Sequence, residues 1–471
     1  MPLHQEITDL RKAGRLDEAY TRGRELIDDH PEDPYIKNSF GWVLYAKVKN
    51  LIDEAKQTRE AGGSVNPSHL HSLLREYAKL QLPRPDLLFS LLLSQTLRFP
   101  GELEFLPKLV KWAGLHSFRA EDYQATSGQD NESKVFESLL EKTARTAGKI
   151  ARSSQDLDLK DFIVIFINKV LCEAQVQSPK WLHYNKALLL NDLGRTEEAK
   201  TLLVSFVQEN RSDYWAWHEL AQVVEASDPA LALALCAKAC LTCSDLNFGV
   251  GVFEDLGRLA AHQGKVQLAR WAADRAFSVR TQNEWRIPQS LRNLLSSAWY
   301  ARAGNLSNLE EVLASVAADA ERVIWASCPR YDANYLGTFA TQSGKRMVKF
   351  GLLSNGESEE LSSPARGLLN NLNLGFGAPV RVTVDESGNR RTIVVVEKRE
   401  SGKPFDSIFR KAGQFRHNQG GFGFVDEVYV PHDLASQLED RQMVNLVVVK
   451  KLDKKKNQWG LSAIALLDEL S

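Results

Sequence analysis

A chain of 471 residues, 43% hydrophobic and 25% charged, is ordinary globular material with room for about three domains; it is neither disordered nor fibrous. Its longest apolar runs, such as LLFSLLLS at Leu87–Ser94, fall short of the ~20 residues a membrane helix needs, and the charged N-terminus has no signal-peptide core. Net charge is −1, with 19 Lys+Arg against 16 Asp+Glu from Ala340 onward and 40 against 44 before it, so bulk charge demands no nucleic-acid partner. A cytoplasmic protein without membrane contact is expected.

Residues 1–325 read as paired helices. A Gly-basic-x-x-x-Ala signature recurs as GRLDEA (Gly14–Ala19), GRTEEA (Gly194–Ala199) and GKVQLA (Gly264–Ala269), with a looser copy, NLIDEA, ending at Ala55. Glycine supplies a left-handed helix end and the small alanine lets the next helix approach. Ala19 to Ala55 spans 36 residues, Trp181 to Trp215 spans 34, and Ala199 to Ala269 spans 70, about two repeats. That period suits a helix, a tight turn and a second helix.

Residues Lys180–Gly304 resemble tandem tetratricopeptide (TPR) units. Ala187, Ala199 and Ala221 stand where that family places small residues, whereas Arg211 replaces the closing proline and the second unit blurs around Leu233. Residues His116–Pro179 are helical in pattern, and the sequence does not set their repeat register. The resemblance implies a stacked α-solenoid whose concave groove holds a protein partner that the sequence does not identify. A plain spacer is the alternative.

Five cysteines are unevenly spread, and Cys236, Cys240 and Cys243 share one helix face. Nothing nearby completes a metal set, so small side chains between packed helices are the better account, with no cofactor.

After Ser327 the texture becomes β-branched runs and turns. Arg381–Lys398 and Met443–Leu466 each read as a hairpin, and each follows an earlier strand pair, at Lys349–Pro364 and Gly421–Pro431. The fold expected is multidomain α plus β: the TPR-like α-solenoid, then two five-stranded oligonucleotide-binding (OB) barrels at 340–400 and 408–471. Arg399–Ser407 is read as the linker between them.

In GGFGFVDEVYVP, period-two alternation puts Phe422 and Phe424 on one face, where Phe415 and Tyr429 can join them from adjacent strands. GGFGFVD, VYVP and QFRHN together resemble the motifs of the cold-shock domain. They are most similar to the cold-shock modules of RNase II/R-type exoribonucleases. The family has a lysine at Gly420 and, in cold-shock proteins, a histidine at Pro431. The resemblance implies that Phe415, Phe422, Phe424 and Tyr429 stack single-stranded RNA or DNA, RNA favoured.

Arg410, Lys411, Arg416, Lys450, Lys451 and Lys454–Lys456 offer charge for phosphates, and His417 and His432 flank the strands. The alternatives are rings packed on another domain and a lysine run that is a solvated hairpin tip. In the first barrel Phe350, Leu352, Leu361 and Ser343 fall at the platform positions, so the same fold with a dismantled platform is expected. At most it extends a groove through Lys345, Arg346 and Lys349.

No P-loop, His-Glu-x-x-His or Gly-x-Ser-x-Gly elbow is present, and Glu357–Glu360 reads as an acidic turn. The expectation is a non-catalytic adaptor joining single-stranded nucleic acid to a protein partner. A protein-interaction scaffold without nucleic-acid binding is the alternative. By analogy at the level of the fold alone, the combination fits a bacterial stress-response or phage-defence setting.

Overall fold

The computed structural model describes residues 2–467 except 129–130, 306–307, 355–356, 366–367, 370–371, 388–389 and 454–457. Two compact units emerge, one of residues 1–209 with 222–226, the other of 210–221 with 227–471.

The first unit opens with α1 (Leu3–Lys12), α2 (Leu16–Asp29) and α3 (Pro34–Glu60), then α4 (Ser68–Lys79), α5 (Leu87–Thr96) and α6 (Leu106–Ala113). A small hairpin, β1 (Thr126–Gly128) and β2 (Asn131–Phe136), precedes α7 (Leu139–Ala151), α8 (Leu157–Glu173), α9 (Pro179–Asp192) and α10 (Thr196–Glu209). Asp33, Asp86, Ser138 and Asp156 cap their helices by accepting from first-turn amides. Of helix α11 (Tyr214–Val224), Tyr214–Ala221 belong to the second unit and Gln222–Val224 to the first. The second unit continues with α12 (Pro229–Thr242), α13 (Leu246–His262), α14 (Val266–Gln282), α15 (Gln289–Leu295), α16 (Ala298–Arg302) and α17 (Leu309–Ile324).

The repeat signature has one physical form. Gly14, Gly194 and Gly264 have φ of +77°, +77° and +71°. The next residue donates its amide to the carbonyl five positions back: Arg15 to Leu10, Arg195 to Leu190, Lys265 to Ala260. That is a Schellman closure, possible without strain only for glycine. Ala19, Ala199 and Ala269 are fully buried, so the hairpins α1–α2, α9–α10 and α13–α14 are alike and TPR-like. The looser copy differs: NLIDEA lies inside α3, a continuous helix of 27 residues, because no glycine stands there to end it. Residues 116–179 are likewise not wholly helical, since they include the β1–β2 hairpin. Helix α12 is apolar on every side, which explains the blurred repeat around Leu233: Leu231 to Ala237 are all buried, as are Ala239 and Cys240.

The β region begins at Arg330, ten residues before the expected boundary of 340. Strands β3 (Arg330–Ala340), β4 (Arg346–Ser354), β5 (Glu357–Pro364), β6 (Pro379–Asp385) and β7 (Thr392–Lys398) lie in the order β5-β4-β3-β6-β7. Their core is Ala333, Val348, Phe350, Leu352, Val380, Val382 and Ile393. No backbone ladder joins β5 to β7 among the described residues; the Ser363 hydroxyl accepts from the Ile393 amide at 2.8 Å across the gap. Glu357–Glu360 is strand rather than turn, with Glu359 paired to Arg391 and Glu360 to Lys349.

Strands β8 (Phe409–His417), β9 (Gly423–Val425) and β10 (Val428–Val430) precede a one-turn helix, α18 (His432–Ala435), then β11 (Met443–Asp453) and β12 (Gln458–Leu467). Their order β8-β9-β10-β12-β11-β8 closes a five-stranded barrel, with β10 and β12 parallel. This is the OB arrangement. The two barrels share one ten-stranded sheet through a parallel bridge, Glu359 to Lys450. Ile408, Val447 and Val449 fill the seam against Leu336 and Phe405. The expected linker is fastened down: the Ser407 amide donates to Asn334 Oδ1 at 2.9 Å, and the Arg399 guanidinium pairs with Asp332 and bonds Ser407.

Candidate nucleic-acid interface

The site is built on β8, β9 and β10. Val425 pairs with Phe415 and Val428, and Phe424 pairs with Arg416 and Tyr429. Paired residues share a face of the sheet. The first row is therefore interior and the second exterior. Phe415, Val425, Val428 and Val430 are all 0% exposed and form the barrel core. Phe424 and Tyr429 are 36% and 39% exposed, with Phe422 partly covered beside them. The three outward rings make one cluster: Phe422–Phe424 at 5.7 Å, Phe422–Tyr429 at 5.5 Å and Phe424–Tyr429 at 6.0 Å between centroids.

Phe415 is thus a correction: it lies inside the barrel, and Arg416 occupies the outward position beside Phe424. The glycine between the phenylalanines serves this buried ring, since a Cβ on Gly423 would fall 2.2 Å from Phe415 Cε2. Gly421, at φ +75°, turns the chain into β9 with the His432 ring set against it.

The charged candidates divide. Arg416 and Arg410 are exposed on the outward-facing alternation of β8, and neither is in an ion pair among the described residues. Lys411 points the other way: its ammonium lies 2.7 Å from Glu427 and 3.3 Å from Asp426, and the Glu427 hydrogen bond raises its pKa. His417 is also turned away, with Nε2 3.0 Å from the Leu438 carbonyl and the ring edge-on to Phe415 at 4.7 Å. His432 is exposed at the Gly421 end of the cluster. Lys450 sits half-buried at the seam opposite Glu359, whereas Lys451 is exposed opposite Gly460. Lys454–Lys456 lie outside the described residues.

The structure therefore gathers Arg416, Phe422, Phe424 and Tyr429 into one surface. On the next strand Ser462 adjoins Tyr429, so the surface continues past the rings without a bulky side chain. Sequence reasoning missed Met443 and Trp459, which are 67% and 53% exposed on the same barrel. A tryptophan opening a strand, in Gln458-Trp459-Gly460, was the available signal for the second.

Among the described residues the first barrel has no such surface, for a reason other than substitution. Phe350 and Leu352 are interior, Leu361 packs on the same core, and Ser343 lies in the turn after β3. On the outward alternation of β4, Gly351 lies under Ile408, where a Cβ would meet it at 2.6 Å. Lys349 rests over Phe339 at 4.8 Å and pairs with Glu360. The equivalent face is spent on joining the barrels.

Among the described residues no cluster of three His, Cys, Asp or Glu could hold a metal ion, and no helix is long and apolar enough to cross a membrane. Cys236 and Cys240 are buried in α12.

Residues 411–466 match a family model described as S1/CSD-like domain 2 of the TOTE conflict systems. Residues 180–320 match a domain of unknown function, DUF7017. No curated protein matches the chain. Solved structures similar to it include the C-terminal part of a TPR repeat-containing protein from Cytophaga hutchinsonii, 12% identical over 62% of this chain and 100% of that one, with a TM-score of 0.30. A human IFIT1 dimer with PPP-AAAA is 15% identical over 66% of this chain and 68% of that one, also with a TM-score of 0.30. At that score neither likeness bears on the site.

Proposed function

We propose that this protein is a non-catalytic adaptor that holds single-stranded nucleic acid, RNA favoured, on the outer face of its C-terminal barrel. The observation that carries this is the exposed cluster of Phe422, Phe424 and Tyr429 with Arg416 beside it, on strands that close an OB barrel. Each ring offers a π-face worth roughly 1–3 kcal/mol per stacked base. Arg416 can stack on a base or meet a phosphate, Arg410 lies on the same alternation of β8, and the exposed Lys451 on β11 adds positive charge to the barrel.

The match of residues 411–466 to an S1/CSD-like domain of conflict systems supports both the ligand class and a setting in bacterial defence or stress response. In this proposal the TPR-like hairpins hold a protein partner brought to the bound strand, and the chain works in the cytoplasm.

Fluorescence anisotropy of labelled single-stranded RNA and DNA with the full-length protein tests this. Binding that weakens from low to physiological salt, and is tighter for RNA, is the expected result. A folded protein that binds neither strand overturns the adaptor and leaves a protein-interaction scaffold.

A further inference from the structure

A chemically equipped cavity lies in the N-terminal unit, between α4 and α6. It measures about 470 Å³, within the range of small-molecule sites, and is lined by His71, Arg75, Glu104, Phe105, Lys108 and Trp112, with Leu74 beneath. Its wall is flat: the His71 imidazole lies on the Phe105 ring at 4.7 Å between centroids and 5° between planes. Phe105 is buried, and both rings line the cavity. Trp112 is exposed at the other side and held in place by Arg84, whose guanidinium lies 4.2 Å from the indole centroid while donating to Ser117 Oγ at 2.9 Å.

Arg75 and Lys108 are exposed, and neither is ion-paired with a described residue. Both act on His71, which burial, then Arg75 and Lys108, hold below the ordinary histidine pKa. That lowering favours the uncharged imidazole, a flat surface beside the two cations. Glu104 is the single carboxylate of the lining.

Two cations at the rim, two aromatic faces and one carboxylate form a set whose members suit different parts of one ligand. An inorganic anion would use only the cations, and an apolar peptide would leave them unpaired. We propose that this cavity binds a nucleotide. Arg75 and Lys108 take the phosphate, His71 and Trp112 stack the base, and Glu104 accepts from the ribose hydroxyls. The site uses none of the residues of the barrel surface.

The test is isothermal titration of the full chain carrying Phe422→Ala, Phe424→Ala and Tyr429→Ala, which removes the three outward barrel rings as competing sites. The probes are AMP, adenosine and inorganic phosphate, each alone. Saturable AMP binding is expected, at least tenfold tighter than either adenosine or phosphate. It should weaken at least tenfold in Arg75→Glu or Lys108→Glu and stay unchanged in Lys149→Glu, an exposed control. Arg75 and Lys108 are exposed, so thermal melts of these variants should match the parent. Absence of AMP binding, binding indifferent to both rim reversals, or phosphate binding as tightly as AMP would each overturn the proposal.

Discussion

At the scale of single residues, three phenylalanines within ten positions have two different roles. Phe415 is enclosed in the barrel, whereas Phe422 and Phe424 stand outside it. Truncating Phe415 to alanine should cost about 3–5 kcal/mol of stability, measured by denaturant unfolding, because it leaves a large cavity. Phe424→Ala should leave stability within about 1 kcal/mol and weaken RNA binding by roughly tenfold, the equivalent of one lost base stack. Gly423→Ala should destabilise as a core lesion would, since its methyl has no space beside Phe415 Cε2. Alternation made the shared face of Phe422 and Phe424 legible in the sequence. The face of Phe415 was not legible, because it depends on how β8 registers against β9, and a spacing of seven residues across a glycine turn does not fix that register. Ion pairing separates the charged candidates: Lys411→Ala should leave affinity nearly unchanged, whereas Arg416→Ala should weaken it in the same titration.

At the scale of elements, the helical hairpins were the most legible part of the chain. Their signal is local, a glycine that must take positive φ followed by an alanine that must be small. Gly194→Ala should lower stability by about 1–2 kcal/mol in a thermal or denaturant melt, since nothing within 4 Å of its Cβ position blocks a methyl and only the backbone conformation objects. Where the glycine is absent the signature misleads, as in the unbroken α3. The hairpins of the β region were legible from alternation, but the first barrel's start and facing were not. Its leading strand begins at Arg330, and the run Phe350-Gly351-Leu352 faces inward with only the glycine outward. Aromatic content in a short strand does not reveal which face is buried when a second domain covers the other.

At the scale of the whole β region, the two barrels share one sheet and one apolar seam, so they are expected to unfold together. Ile408→Ala should lower the stability of both barrels in a single transition; two separated transitions in the wild-type protein would contradict that coupling. The seam also explains why, among the described residues, the first barrel presents no second platform. Binding on that platform should depend on salt with a slope of about −2 in log affinity against log salt, if Arg416, Arg410 and Lys451 each neutralise one phosphate of a single strand.

The central claim is that the outward rings of the second barrel hold single-stranded nucleic acid. The most direct measurement is anisotropy titration of one labelled RNA oligomer with the wild-type protein and with Phe424→Ala/Tyr429→Ala, each first matched by thermal melt. The account predicts equal melts and at least a hundredfold loss of affinity in the double variant. Equal melts with undiminished binding would contradict it and move the nucleic acid to another surface of the chain.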